Sequence, residues 1–221
     1  MDLRFSSIRH TACQKRFSIG LVLSSLAVAR PDHQRRAATY DDLLAVPVHL
    51  VAEILDGELY ASPRPGPRHA RASSGLGVSL GPFDSGRGGP GGWYILDEPE
   101  LHLGHDLVVP DLAGWRRDRM PQLPDEAFFS LAPDWVCEVI SPSTAAMDRV
   151  QKLAIYAREE VAHVWLIDPL AQTLEVLRLE SQRWVIAGTW SGRDVLRAEP
   201  FAAINLDLAL LWDEPAPPPR A

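Results

Sequence analysis

Two acids stand where the sequence otherwise builds apolar strand. Asp111 lies in Leu107-Val108-Val109-Pro110-Asp111-Leu112-Ala113, and Glu138 lies in Trp135-Val136-Cys137-Glu138-Val139-Ile140. A carboxylate in such surroundings is costly unless it is paired or holds a cation. Two of them converging from neighbouring strands would make a magnesium site, because Mg²⁺ takes one or two carboxylates together with water and phosphate oxygens. The alternative is that each acid sits at a strand edge, where it caps a loop or pairs with an arginine. A third element follows. Asp148, Lys152 and Tyr156 are spaced i, i+4, i+8 and share one helix face. That helix begins just beyond the strand carrying Glu138, so Lys152 can point back toward the carboxylates. An ammonium there would orient an attacking water or stabilise charge on a phosphate under attack. The plain alternative is an Asp148–Lys152 surface pair worth about 0.2–0.5 kcal/mol. Lysine usage weighs against it: the chain has only Lys15 and Lys152 against twenty arginines, and a surface pair would have accepted arginine.

The elements that must position these residues can be read in order. Thr39 with Asp42 is a loose capping box before a short helix from Tyr40 to Ala45, ended by Pro47. Leu50–Leu55 and Glu58–Ser62 flank Asp56-Gly57, a strong hairpin signal. Pro63 to Pro67 is a loop, and His69–Leu80 a helix of small residues. Residues 81–92, with six glycines and two prolines, read as loop. Strands are expected at Trp93–Leu96 with a continuation toward Leu103, at Leu107–Trp115 and at Asp134–Ile140. Ser141-Pro142-Ser143-Thr144 opens a helix from Ala145 to Arg158. Val161–Ile167 is another strand, and Leu174–Leu179 with Trp184–Trp190 a late hairpin. Strands mixed with two helices point to an α/β sheet rather than a sandwich.

Composition bounds the function. The chain has 221 residues and a net charge of −7. Residues 1–37 carry seven basic and two acidic residues, a net of +5, which leaves −12 for the rest. Such a balance argues against a general nucleic-acid coat protein, though not against an enzyme that meets nucleic acid at one site. Cys13 and Cys137 are too few for a disulfide scaffold or a four-cysteine zinc site. Cys137 alternates away from Glu138 and reads as apolar filler. His102 and His105 flank a Gly104 turn and read as loop, with a metal pair as the lesser reading. Residues 1–37 are expected to be an extension, 38–213 the domain and 214–221 a disordered proline-rich tail. No apolar run reaches the roughly 18 residues a membrane span needs, so no membrane association and a cytoplasmic location are expected. Export is the second expectation, since Lys15-Arg16, the apolar stretch to Ala29 and the closing Ala27-Val28-Ala29 have the outline of a secretory signal.

Taken together, the motifs carry a resemblance. They are Ile54-Leu55-Asp56-Gly57-Glu58-Leu59, His69, Pro110-Asp111, Glu138-Val139-Ile140-Ser141-Pro142-Ser143-Thr144, Asp148-x-x-x-Lys152-x-x-x-Tyr156 and Val164-Trp165-Leu166-Ile167-Asp168-Pro169. In this order they resemble the Uma-type restriction endonucleases of the PD-(D/E)XK nuclease superfamily, over residues 38 to 213. The resemblance implies a restriction-endonuclease-like α-β-β-β-α-β core, here preceded by a helix and a β-hairpin. It implies a Mg²⁺-dependent endonuclease acting on DNA, with Mn²⁺ as a substitute and a homodimer as one assembly. Asp111 and Glu138 would hold the metal, Lys152 would complete the catalytic set, and Glu58 and His69 would support it. Glu53, on the hairpin face of Glu58, is a weaker candidate. Arg64, Arg68 and Arg71 would meet phosphates, against the alternative of solubilising arginines; Arg116, Arg117 and Arg119 form a similar cluster. The second function class is a nuclease-fold protein that binds nucleic acid or a protein partner without cutting. Two positions depart from the pattern. The superfamily lysine lies two residues after the acid, which here is Ile140. Glu160 stands where the family usually has glycine.

Overall fold

The computed structural model describes residues 36–212. The expected leader up to Arg35, with Cys13 and Lys15, and the expected tail lie outside the described residues.

Helix α1 (Tyr40–Leu44) is entered through a full capping box: Asp42 N–H donates to the Thr39 hydroxyl, and the Asp42 carboxylate accepts from Thr39 N–H at 2.8 Å. Strands β1 (Leu50–Leu55) and β2 (Glu58–Pro63) form the expected hairpin. Its two turn residues, Asp56 and Gly57, have φ of 51° and 79°, the positive values that a tight hairpin turn requires.

Helix α2 runs from Pro67 to Asp84, with proline in its first turn. The expected end at Leu80 is corrected: the helix continues through Gly81-Pro82. Packing overrides the missing Pro82 donor, because Leu80 and Phe83 are both buried against the sheet. Gly75 is needed for packing too. A Cβ there would lie 2.8 Å from the Leu210 carbonyl oxygen, in the short 3₁₀ helix Leu208–Leu211 that covers α2.

The next stretch divides between two sheets. Strand β3 (Trp93–Asp97) joins the main sheet, while β4 (Leu101–Leu103) and β5 (Asp106–Val108) join the hairpin in a four-stranded sheet of order β2-β1-β5-β4. Strand β6 (Leu112–Arg116) returns to the main sheet. The single strand expected over Leu107–Trp115 is therefore two strands in two sheets. The break falls at Pro110, which has no N–H for a ladder. Asp111 is correspondingly not inside a strand but at the junction between the sheets.

Strand β7 (Trp135–Val139) leads into a π-helical turn (Met147–Lys152), helix α3 (Leu153–Arg158) and strand β8 (His163–Asp168). The helix expected from Ala145 to Arg158 is present, with the π-helical turn inserted in it. Strands β9 (Thr173–Glu180) and β10 (Arg183–Ser191) are the late hairpin. The six-stranded sheet has the order β10-β9-β8-β7-β6-β3; β7 and β8 are parallel and the other neighbours antiparallel. Its α2-β3-β6-β7-α3-β8 sequence is the α-β-β-β-α-β core of the restriction-endonuclease type.

The period of two in β7 decides what each face holds. Trp135, Cys137 and Val139 pack toward α2 with Trp165, Ile167 and Phe201. Val136 and Ile140 point the other way, toward Ile155 and Tyr156 of α3 and toward Leu55, Leu101 and Val108 of the smaller sheet. Glu138 shares that second face.

Candidate active site

Four carboxylates, a lysine and a histidine meet in one cleft. Glu53, His69, Asp111, Glu138, Asp148 and Lys152 all line it, with Val51, Val109 and Thr144 among its walls, and its cavity volume is about 70 Å³. They arrive on five supports. Glu53 comes from the middle of β1, where its neighbours Ile54 and Leu55 are core. His69 stands in the first turn of α2. Asp111 sits at the sheet junction and is tied to β7, because its Oδ2 accepts Val139 N–H at 2.7 Å. Asp148 and Lys152 both lie in the π-helical turn, where Leu153 N–H reaches back to Asp148 C=O. Such widened turns are often found at functional sites.

Burial sets the electrostatics. Glu53, Glu138, Asp148 and Lys152 are each no more than 5% exposed. Lys152 Nζ contacts Glu53 Oε1 at 2.9 Å, Glu138 Oε2 at 3.3 Å and Asp148 Oδ1 at 3.6 Å. It also faces the Val109 carbonyl at 3.5 Å. Burial works against its protonation, but the surrounding carboxylates hold its pKa well above the ordinary 10.5. Burial pushes Glu138 well above 4.5; Lys152 opposes that shift, and Asp148, Asp111 and Glu53 add to it. Asp148 is raised for the same first reason. The other Glu138 oxygen, Oε1, accepts from the Tyr156 hydroxyl at 2.5 Å. Burial and the Glu138 charge raise the Tyr156 pKa well above 10, so the phenol stays a donor. His69 Nε2 lies 3.3 Å from Asp111 Oδ1. Burial works against protonation of His69, yet the Asp111 hydrogen bond and charge carry its pKa above 6.5.

The charges do not balance. Fully ionised, the four carboxylates would outnumber Lys152 and a protonated His69 by two charges, and the raised pKa values of Glu138 and Asp148 are the response to that crowding and burial. Hard oxygen donors with that deficit suit a divalent cation such as Mg²⁺.

The structure brings together Asp111, Glu138, Lys152 and His69 of the expected residues. It does not bring Glu58, which is exposed beside the hairpin turn and accepts from the Tyr60 hydroxyl at 3.1 Å. Glu53, the weaker candidate, is the hairpin acid that lines the cleft. Strand alternation put both acids on one face, but only the strand centre reaches the cleft. Asp148 is no surface partner of Lys152, since both are buried. Tyr156 is the residue whose contact with Glu138 sequence reasoning left unassigned; its i+4 spacing from Lys152 was the available signal. Arg64 pairs with Glu98, a residue of the cleft wall, at 3.0 Å. Arg68 and Arg71 are exposed on the first turns of α2, outside the lining.

A second group lies elsewhere among the described residues. Asp56, His105 and Asp106 present ligand atoms close enough for a metal. Both Asp106 oxygens are already engaged, one by Asp56 N–H at 2.6 Å and one by Arg158 at 2.7 Å. His102 stacks on Phe128 with ring centroids 3.8 Å apart.

Among the described residues no helix is long and apolar enough to cross a membrane. No curated protein matches the chain. Its fold is similar to a crystal structure described as "a putative nuclease belonging to DUF820" from Anabaena variabilis. The two share 23% identity and a TM-score of 0.64 over 79% of this chain and 97% of that one. Residues 37–210 match the Uma2 family model, described as "putative restriction endonuclease". With that match over most of its length, the chain belongs to the Uma2 family of restriction-endonuclease-like proteins.

Proposed function

We propose that the protein is a Mg²⁺-dependent endonuclease, with Mn²⁺ as a substitute, that hydrolyses phosphodiester bonds in DNA. The observation that carries this reading is the convergence of three acids on one protonated lysine, with Asp111 beside them, in a single cleft of a nuclease-type core. Asp111 and Glu138 hold the metal. A bound Mg²⁺ would supply Lewis acidity at the phosphoryl oxygen and acidify a coordinated water. Asp111 is oriented by Val139 N–H and His69, and Glu138 by Tyr156. Lys152 keeps its proton and supplies positive charge where negative charge develops. Arg64 at the cleft rim and Arg68 on α2 meet flanking phosphates. With a net charge of −12 beyond residue 37, these few contacts and the metal carry the affinity. Two copies, each cutting one strand, is the assembly that duplex cleavage asks for.

The test is purified chain with supercoiled plasmid, linear DNA and RNA, in Mg²⁺, in Mn²⁺ and in EDTA. Nicking of DNA in Mg²⁺ or Mn²⁺ but not in EDTA, abolished by Asp111→Ala and by Lys152→Ala, is the expected result. Cleavage that survives both substitutions refutes the site. Calorimetric Mg²⁺ binding without cleavage of any substrate favours the non-cutting alternative.

A further inference from the structure

His102 and His105 part company in the structure. His102 is engaged by Glu100 at 2.6 Å and by the stacked Phe128 ring. His105 turns toward two aspartates instead. Strand β1 pairs with β5 through Ile54 and Leu107, and that antiparallel register, carried two residues further, sets Asp56 against His105. The β1–β2 turn and the β4–β5 turn are thereby side by side. His105 Nε2 lies 3.6 Å from Asp106 Oδ2 and 3.9 Å from Asp56 Oδ1, and one ligand atom from each of the three residues lies within 4.8 Å of the others. Two ligands about 2.1 Å from one tetrahedral ion stand about 3.4 Å apart, so modest side-chain rotation closes the arrangement.

Asp106 is the fixed member. Its side chain is fully buried, and its two oxygens accept Asp56 N–H at 2.6 Å and Arg158 at 2.7 Å. Each carboxylate oxygen has a second lone pair, so these bonds orient Asp106 and leave it able to ligate. Asp56 and His105 are exposed and free to adjust. The local charge also favours a cation. Asp56, Asp106 and Glu159, when ionised, surround the single positive charge of Arg158, whose Nε lies 2.8 Å from Glu159 Oε1. A Cβ on Gly104 would stand 3.5 Å from that Glu159 oxygen, which puts the Arg158–Glu159 pair against the same turn.

We propose that Asp56, His105 and Asp106 bind one Zn²⁺, with water in the fourth position, and that the ion clips the two turns together. An imidazole nitrogen joined to two carboxylates suits a borderline transition dication better than Mg²⁺. None of the three residues lines the active-site cleft, so the site is separate from the nuclease reading and stands without it. Its role is structural. Strand β1 carries Glu53, β5 runs on through Val109 to Asp111, and Val109 N–H donates to Glu53 Oε1 at 2.8 Å. A clip across the neighbouring turns braces both of these supports of the cleft.

The test is calorimetry and thermal unfolding of the full chain with ZnCl₂, after stripping with EDTA and dialysis, beside His105→Ala and Asp56→Asn. The native chain is expected to bind one Zn²⁺ more than His105→Ala, or to bind it at least about tenfold tighter. Zn²⁺ is expected to raise the Tm of the native chain more than that of either variant. With ¹⁵N-labelled histidine, the ring signal that His105→Ala lacks should shift at the first equivalents of Zn²⁺. Mg²⁺ binding should be the same in all three proteins, since the cleft is untouched. Equal Zn²⁺ stoichiometry and affinity in the native chain and His105→Ala overturns the inference, because the ion then sits elsewhere. No Zn²⁺ binding by the native chain overturns it too, and neither result touches the nuclease reading. Should His105→Ala fail to fold, Asp56→Asn decides by the same comparison.

Discussion

Replacing Glu138 with glutamine should stabilise the protein in EDTA while removing its function. The magnitude follows from the cluster. At an effective dielectric of about 20, the Lys152–Glu138 contact at 3.3 Å is worth about 5 kcal/mol of gross attraction. Glu53 and Asp148 touch the same ammonium, so their oxygens lie at most about 6–7 Å from Glu138 Oε2, and each repels it by about 2.5 kcal/mol or more. The two repulsions cancel the attraction, and the cost of burying the charge remains. Glutamine has nearly the same shape. Its carbonyl can accept from Lys152 and its amide can donate to the Tyr156 oxygen, so no polar atom is orphaned. Glu138→Gln should therefore be about 1 kcal/mol or more stabler in EDTA, which raises Tm by about 2–4 °C per kcal/mol in a chain of this size. The assay is urea or thermal unfolding of both proteins in EDTA and in Mg²⁺. Native protein should gain stability from Mg²⁺ and the variant should gain little. A loss of more than about 1 kcal/mol by Glu138→Gln in EDTA would refute the charge argument, because it would make the carboxylate a structural requirement.

Three further outcomes are expected. Tyr156→Phe leaves Glu138 Oε1 without its donor in a buried site and should cost about 1–3 kcal/mol by denaturant unfolding; the loss should shrink in a Glu138→Gln background, and equal losses in both would break the proposed link. In EDTA, stability should fall as pH rises above the ordinary carboxylate range and through the raised native pKa values. Glu138 and Asp148 have native pKa values above their ordinary ones, so the folded state binds more protons than the unfolded state between the two. The His69 contribution, complete below 6.5, is likewise lost as pH climbs through its raised native value. A flat profile would contradict these directions, and Glu138→Gln should flatten it in part. Glu160→Gly should stabilise by roughly 0.5–1 kcal/mol, because Glu160 has φ of 59°, a left-handed value that costs a side chain. A Tm unchanged or lowered would show that the glutamate side chain compensates.

Glu160 closes helix α3 in the geometry that glycine usually supplies. Val161 N–H bonds to Tyr156 C=O and Glu160 N–H to Ala157 C=O, the two bonds of a Schellman helix end. The turn that glycine favours is therefore built despite glutamate, with the buried Val161 and Tyr156 on either side to hold it.

Local chemistry was legible in the sequence wherever it acts over a few residues. Periodicity, proline and glycine placed the hairpin, the core strands and the helix before β8, and acids within apolar runs marked Asp111 and Glu138. The i, i+4, i+8 spacing put Asp148, Lys152 and Tyr156 on one face, and the scarcity of lysine singled out Lys152. What only the tertiary structure decided was which groups meet. Pro110 sends one apolar run into two sheets, and that junction, not a strand, holds Asp111. Glu53 rather than Glu58 reaches the cleft because β1 crosses it at mid-strand while the turn projects past it. Alternation along a strand specifies a face, but not how far along the strand the neighbouring sheet begins. The seating of Lys152 among three carboxylates depends on three segments, with Glu53 and Lys152 99 positions apart in the chain, and no short-range rule encodes their approach.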